Sequence, residues 1–267
     1  MSKLISSMSR GIDRIWATPI RFLDTLGEML TMLGRAFLWG LRPPYRIGLT
    51  LQAMEFIGVG SLSIIVLVSM FTGGVFGLQS VKAFRVFQAD GYVGTAVSLT
   101  LTREIAPVIS ALMVSGRAGS AMATELGSMR ISEQIDALAT LGVNPIQYLV
   151  VPRLIAATVM LPILTIVFNV CGMFGAYVFV VLVMGVDEGI FIHNIRWYTD
   201  VGDLGMGLIK ATFFGLMLAL VGCHQGYNAG GGAKGVGIAT MRTVVITSVA
   251  ILVMDFVLTQ ILMQVGF

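Results

Sequence analysis

The chain reads as an all-α integral membrane protein, and three observations predict it. Its 267 residues are 56% hydrophobic and only 12% charged, against about 25% charged in soluble domains, and the mean hydropathy is +0.90. Residues 56–81, 154–186 and 211–233 carry no charge, and each run exceeds the roughly 20 residues that cross a bilayer. Two more apolar runs are interrupted only at their centres, 91–116 by Arg103-Glu104 and 243–267 by Asp255. None of these runs alternates apolar and polar residues as a barrel strand would. The expectation is one domain of about five spanning helices.

Orientation follows from the basic residues. With the N-terminus inside, twelve of them fall on inner segments: Lys3, Arg10, Arg14, Arg21, Arg35, Arg42, Arg46, Arg117, Arg130, Arg153, Lys234 and Arg242. Four fall outside: Lys82, Arg85, Arg196 and Lys210. This places the N-terminus in the cytoplasm and the C-terminus beyond the membrane. The net charge of +3 is small, and no basic patch accompanies a soluble binding module, which argues against nucleic acid as a partner. Cys171 and Cys223 lie in apolar spans, lack disulfide or metal spacing and read as packing residues. No cleavable signal is evident, because the first 46 residues are basic throughout.

Residues 1–46 form the first unit. Ile12, Ile15, Trp16, Ile20, Leu23, Leu26, Leu30, Leu33 and Phe37 recur every three or four residues, while Arg14, Arg21, Asp24, Glu28 and Arg35 interrupt any spanning run. The pattern predicts an amphipathic helix over 10–40 lying in the headgroup plane, or alternatively a solvated helix packed on a partner. Pro43-Pro44 ends it. The membrane-spanning body, 47–267, follows, with spans at 47–72, 91–116, 150–186, 205–228 and 239–265. Gly73, Gly74 and Gly77 permit close packing or a bend after the first span, and 80–90 reads as a short outer loop. Between the second and third spans lies a cytoplasmic segment, 117–148. In it Ser132 is a plausible N-cap, Glu133 and Asp136 suit a positive helix end, and Gly142 with Asn144-Pro145 stops the helix. The third span has more length than one crossing needs, which predicts tilt or a kink at Pro162. The acidic stretch 187–203 reads as an outer loop, and Gly230–Gly237 as an inner one.

Few residues here can carry chemistry. Arg103 and Glu104 sit at the centre of a span, where each charge costs at least ~2.5–3.5 kcal/mol. Adjacent helical residues point about 100° apart, so the two need not pair with each other. They either line a polar cavity that meets a lipid headgroup or tie helices together as structural ions. Lys210 either pairs with Glu104, binds an anionic headgroup or snorkels to the interface. Asp255 needs a polar partner inside the bundle, and Glu55 stands near the inner interface. The stretch 230–237 lacks the Gly-Lys-Ser/Thr ending and the preceding strand of a nucleotide-binding loop. His193 and His224 stand alone and read as structural. The chain therefore holds no cofactor site of its own and no catalytic constellation.

The run Glu125-Leu126-Gly127-Ser128-Met129-Arg130-Ile131-Ser132-Glu133-Gln134-Ile135-Asp136-Ala137-Leu138, followed by Leu141-Gly142-Val143-Asn144-Pro145, closely resembles the MlaE (YrbE) permease family. The likeness extends to Leu101–Val108, Phe71–Val75 and Gly231–Thr240, in order along nearly the whole chain. The resemblance implies a homodimer in the inner membrane of a Gram-negative bacterium. It implies a cytoplasmic ABC ATPase on each copy, carrying ATP and Mg, a STAS-domain protein bound to the ATPase, and a periplasmic ring of MCE-domain subunits. Such a complex moves phospholipid between inner and outer membranes and maintains outer-membrane asymmetry. By the same resemblance Arg103 and Glu104 belong to the lipid cavity, and Lys210 joins them as a candidate from its own charge and position. Glu125, Arg130, Glu133, Gln134, Asp136 and Leu138 belong to the coupling helix that docks on the ATPase.

Three other readings compete. An intramembrane lipid enzyme needs a nucleophile or metal constellation, and none is visible. A passive anchor for a periplasmic ring explains the docking segment less well. A self-contained secondary transporter favours internal repeats, and none is found.

Overall fold

The computed structural model describes residues 23–265. The predicted interfacial helix is seen from residue 23 onward, so Ile12, Ile15, Trp16 and Ile20 lie outside the described residues. Residues 23–40 form helix α1. The helices that follow are α2 (Ile47–Arg85), α3 (Asp90–Ile131), α4 (Gln134–Thr140), α5 (Ile146–Val183), α6 (Glu188–Tyr198), α7 (Val201–Tyr227) and α8 (Gly232–Val265). No strand occurs among the described residues. Five of these helices, α2, α3, α5, α7 and α8, are long and apolar enough to cross a membrane. The chain is an all-α integral membrane protein.

Helix α5 packs against α2 and α7, and α7 packs in turn against α3 and α8. Helix α7 is the most buried of the five and α8 the least. Small residues make the approaches close. A Cβ at Gly73 would fall on the carbonyl of Gly172, and one at Gly175 on the carbonyl of Met70. The glycines after the first predicted span therefore serve close packing of α2 on α5, and α2 runs on through them to Arg85. Helix α1 buries Met29, Met32 and Ala36 against the bundle and leaves Leu23, Leu26, Leu30 and Phe37 exposed. Of the predicted apolar stripe, Leu23, Leu26, Leu30 and Phe37 thus face away from the bundle, while Leu33 packs partly against it.

Several predicted boundaries move. The second span does not stop near Gly116. Helix α3 continues to Ile131, because nothing in 117–131 breaks it and Met122, Ala123, Leu126 and Gly127 are buried in its side. Ser132 does not cap α4. It ends α3, its hydroxyl donating to Ser128 O at 2.8 Å, and Glu133 takes the cap position with a left-handed φ of 60°. The stop at Gly142 stands, with φ 76°. The loop after α2 shrinks to 86–89. The acidic loop 187–203 contains α6, whose first turn is capped by Asp187 accepting from Ile190 N at 2.9 Å. The glycine-rich loop is shorter than expected, since α8 begins at Gly232. Helix α5 passes through Pro162 without interruption.

Wide π-type turns interrupt the spans at Glu55–Val59, Leu101–Ile105, Ser115–Gly119, Ile146–Val150 and Val178–Val183. Two have a cause in sequence. Pro107 and Pro152 have no N–H to offer the carbonyls of Arg103 and Tyr148 four residues back, so the preceding turn loosens. The first of these loosened turns carries Arg103 and Glu104.

Candidate functional site

The π turn at Leu101–Ile105 aims its two charges at different partners. Arg103 Nε donates to Asp203 Oδ1 at 2.6 Å, and its Nη2 contacts the same oxygen. Glu104 Oε2 accepts from Lys210 Nζ at 2.6 Å. Lys210 also stands 3.0 Å from Asp255 Oδ1 on α8, an ion contact outside hydrogen-bond geometry. Three spans, α3, α7 and α8, are thereby joined through one ammonium. Lys210 is fully buried, and with Asp203 it makes up the buried charged side chains among the described residues, His224 aside. Glu104 and Arg103 keep about a third of their surface, so the cluster has a closed interior side and an open side.

The depth of this cluster explains its form. Lys210 stands nine residues past Val201, about 14 Å along the helix at 1.5 Å per residue. Of the three expectations for Lys210 the pairing with Glu104 is the one observed, and with its side chain sealed among helices Lys210 does not snorkel. A buried ammonium needs a counter-charge, and here two carboxylates share it. Asp203 does double duty, since its side chain also accepts from Asp200 N at 2.8 Å in a capping box that starts α7.

At the opposite end lies the segment predicted to dock. Arg130 Nη1 and Asp136 Oδ1 are 2.6 Å apart and close the turn between α3 and α4 on itself. Glu125 reaches Arg153 of α5 at 2.8 Å. That pair lines a cavity of about 380 Å³ between α2, α3 and α5, with Gln52, Phe56, Met129 and Tyr148. Leu138 is half-buried against the core, whereas Glu133 and Gln134 are exposed. Arg117, in the π turn Ser115–Gly119, donates to Phe56 O at 2.8 Å and to Ser61 Oγ at 3.2 Å, pinning α3 to the π turn of α2. His224 is 3.2 Å from Glu28 Oε2 and 3.0 Å from Asn228 Nδ2, which ties α1 to α7.

Residues 50–261 match the family described as Permease MlaE. The chain belongs to the MlaE permease family. It is 35% identical over 262 residues to the intermembrane phospholipid transport system permease protein MlaE of Haemophilus influenzae, covering 92% of this chain and 99% of that one. It is 37% identical over 246 residues to a probable ABC transporter permease protein of Rickettsia typhi, covering 92% and 95%. It is also 38% identical over 215 residues to the chloroplastic protein TRIGALACTOSYLDIACYLGLYCEROL 1 of Arabidopsis thaliana, covering 80% and 61%. An MlaE permease is a transport subunit, and the five spans make this one a multi-pass membrane protein.

Within the matched stretch lie all five charges of the cluster and the whole turn between α3 and α4. Two buried polar residues stand outside the sequence-predicted set, Asp203 in the charge cluster and Asn169 elsewhere in the bundle. Asp203, which the acidic composition of 187–203 assigns to an outer loop, lies in α7, where its spacing of seven from Lys210 puts both on one face, opposite the adjacent Arg103-Glu104. Asn169 of α5 is buried, and neither its Oδ1 nor its Nδ2 has a hydrogen-bond partner among the described residues. Its signal was a lone amide inside an otherwise apolar run.

Proposed function

We propose that this chain is the membrane subunit of an ATP-driven transporter that moves phospholipid between the inner and outer membranes of a Gram-negative cell and so maintains outer-membrane asymmetry. Two copies form the permease, and its N-termini are cytoplasmic and its C-termini periplasmic. A separate ABC ATPase supplies hydrolysis with ATP and Mg, a STAS-domain protein binds that ATPase, and an MCE-domain ring stands on the periplasmic side. The single observation that carries the substrate is the likeness to the Haemophilus phospholipid permease over nearly its full length. The geometry supports it: a charge cluster with one open side, shared by α3, α7 and α8, with α3 continuing through a widened turn to an exposed one.

In this mechanism the apolar faces of the spans receive acyl chains, and Arg103, at the open side of the cluster, meets the headgroup. Glu104 and Asp255 hold Lys210, and Asp203 holds Arg103, so that the cationic face is fixed in place. The turn formed by Arg130, Glu133, Gln134 and Asp136 takes up the ATPase movement, with Leu138 anchoring α4 to the bundle. A second reading, a different lipid carried by a related MCE system, is favoured by the plant relative, which is named for trigalactosyldiacylglycerol.

The deciding experiment is purification of the tagged chain from its native membrane in mild detergent, with mass spectrometry of every protein and lipid that accompanies it. An ATPase, an MCE protein and phospholipid together support the proposal. A chain recovered without any ATPase overturns it, and a co-purifying lipid of another class moves the substrate to the second reading.

A further inference from the structure

Far from the charge cluster, α1 gives way to α2 through Trp39-Gly40-Leu41-Arg42-Pro43-Pro44-Tyr45-Arg46. This stretch, the first turns of α2 and the start of α5 enclose a cavity of about 380 Å³. The cavity has a basic, aromatic rim and an apolar wall. The Arg42 guanidinium lies 5.4 Å from the centre of the Trp39 ring, and that of Arg46 lies 4.5 Å from the Tyr148 ring. Gln147 Nε2 donates to Trp39 O at 3.3 Å and to Arg42 O at 2.9 Å, which fixes the rim to α5. Among the described residues neither arginine forms an ion pair with a carboxylate.

The wall below is made by Leu51, Met54, Val151 and Ile155, and Leu51 and Ile155 are exposed on the outer surface of the bundle. A second cavity of about 330 Å³ adjoins it, bounded by Phe37, Leu41, Thr158 and Val159. The two share Gly40, Val151 and Ile155. The feature is thus two neighbouring apolar clefts under one pair of uncompensated guanidinium groups, at the level where an interfacial helix meets the first span.

Each part of that description has a chemical counterpart. A guanidinium recognises phosphate bidentately, and stacking on an aromatic ring keeps it oriented and weakly hydrated. Tryptophan and tyrosine mark the headgroup depth. Basic pockets between spanning helices hold acidic headgroups. Two apolar clefts side by side suit the two chains of one glycerolipid.

We propose that this cavity holds one acidic glycerophospholipid, of the phosphatidylglycerol type, as a resident lipid that seats α1 against α2 and α5. Its phosphate lies between Arg42 and Arg46, and its chains occupy the two clefts. The inference rests on the membrane location of the chain and not on the transport proposal, since the site lies at the opposite end from Asp203 and shares no residue with the charge cluster.

The test uses the full chain in mild detergent. Thermal unfolding is followed with added dioleoylphosphatidylglycerol, dioleoylphosphatidylcholine or inorganic phosphate, and native mass spectrometry counts the lipids retained. Phosphatidylglycerol is expected to raise Tm and to remain bound as one molecule per chain, with no effect of the other two. In the R42Q/R46Q variant its apparent affinity should fall about thirtyfold, as for two arginines lost from an anionic surface. An equal Tm shift with phosphatidylcholine would mean ordinary annular lipid, and a shift with phosphate a free-anion site; either overturns the proposal. So does undiminished retention in R42Q/R46Q. Should that variant fail to fold, the three-ligand comparison on the unaltered chain still decides.

Discussion

Arg103 and Asp203 are joined across α3 and α7 by a 2.6 Å hydrogen bond from Nε to Oδ1. Asp203 also closes the capping box that begins α7, so one carboxylate both starts a helix and fixes a cation. The two roles separate by substitution. Asp203→Asn keeps an acceptor for the cap and removes only the charge, whereas Asp203→Ala removes both. Asp203→Ala is expected to be the less stable by about 1 kcal/mol, the typical worth of a cap. Both should lower phospholipid transfer as far as loss of Arg103 does. Thermal melts alongside a transfer assay in proteoliposomes check this, and normal transfer in Asp203→Asn would free Arg103 of any dependence on its partner.

Lys210 is held by two carboxylates, so removing it alone leaves them facing each other. Lys210→Met should cost about 3–5 kcal/mol, as for other broken buried pairs. The triple change E104Q/K210M/D255N, which neutralises the whole group, should recover most of that loss in Tm. A Lys210→Met protein melting like the unaltered one would contradict the pairing. Transfer activity in the triple variant would show that the charges act in folding alone.

Gly175 and Gly116 give opposite expectations. Gly175 lies against the Met70 carbonyl, while the Cβ direction of Gly116 is open. Gly175→Val should force α2 from α5 at a cost of about 1–3 kcal/mol or more. Gly116→Ala, on an open helical site, should leave stability unchanged or raise it by up to ~1 kcal/mol. Yield and melting temperature of the two variants decide it.

The Arg130–Asp136 pair is exposed, and such pairs contribute less than ~1 kcal/mol. R130A/D136A should therefore melt within a degree or two of the unaltered chain. If the turn docks on an ATPase, the same variant should retain much less of it on purification. A large fall in Tm would instead make the pair a structural clasp.

Arg117 satisfies Phe56 O, a carbonyl within the loosened turn of α2, and covers Gly60. Arg117→Ala should lower stability by about 1 kcal/mol, the typical net worth of a lost hydrogen bond, since Phe56 O is exposed and only Ser61 Oγ is a buried partner. Hydrogen exchange at 55–61 should rise selectively, and uniform exchange along α2 would contradict the pinning.

The five spans were legible because charge-free runs have one explanation in lipid, and Arg103-Glu104 stood out because charge there is costly. The divergence of those two side chains also followed from helical geometry. What escaped were partners supplied from other segments. Asp203 looked like one acid among several in a loop, because helix α6 and the cap at Asp200 were hidden by polar composition. The continuation of α3 through Gly116 and Gly119 was hidden because glycine signals both a break and a close contact, and only the neighbouring helix distinguishes them. Asn169 remained invisible because a single amide barely alters an apolar window.

Helix α3 carries both Arg103 and Arg130, 27 residues apart on one rod, about 40 Å at 1.5 Å per residue. If the Ser132 turn is where an ATPase pushes, the movement would reach Arg103 as a stroke of the whole rod, without a relay of side chains between them. The compliance in that linkage is confined to the widened turn at Ser115–Gly119, and Arg117 clamps that turn to α2. How far the stroke reaches is set by how firmly that one arginine grips.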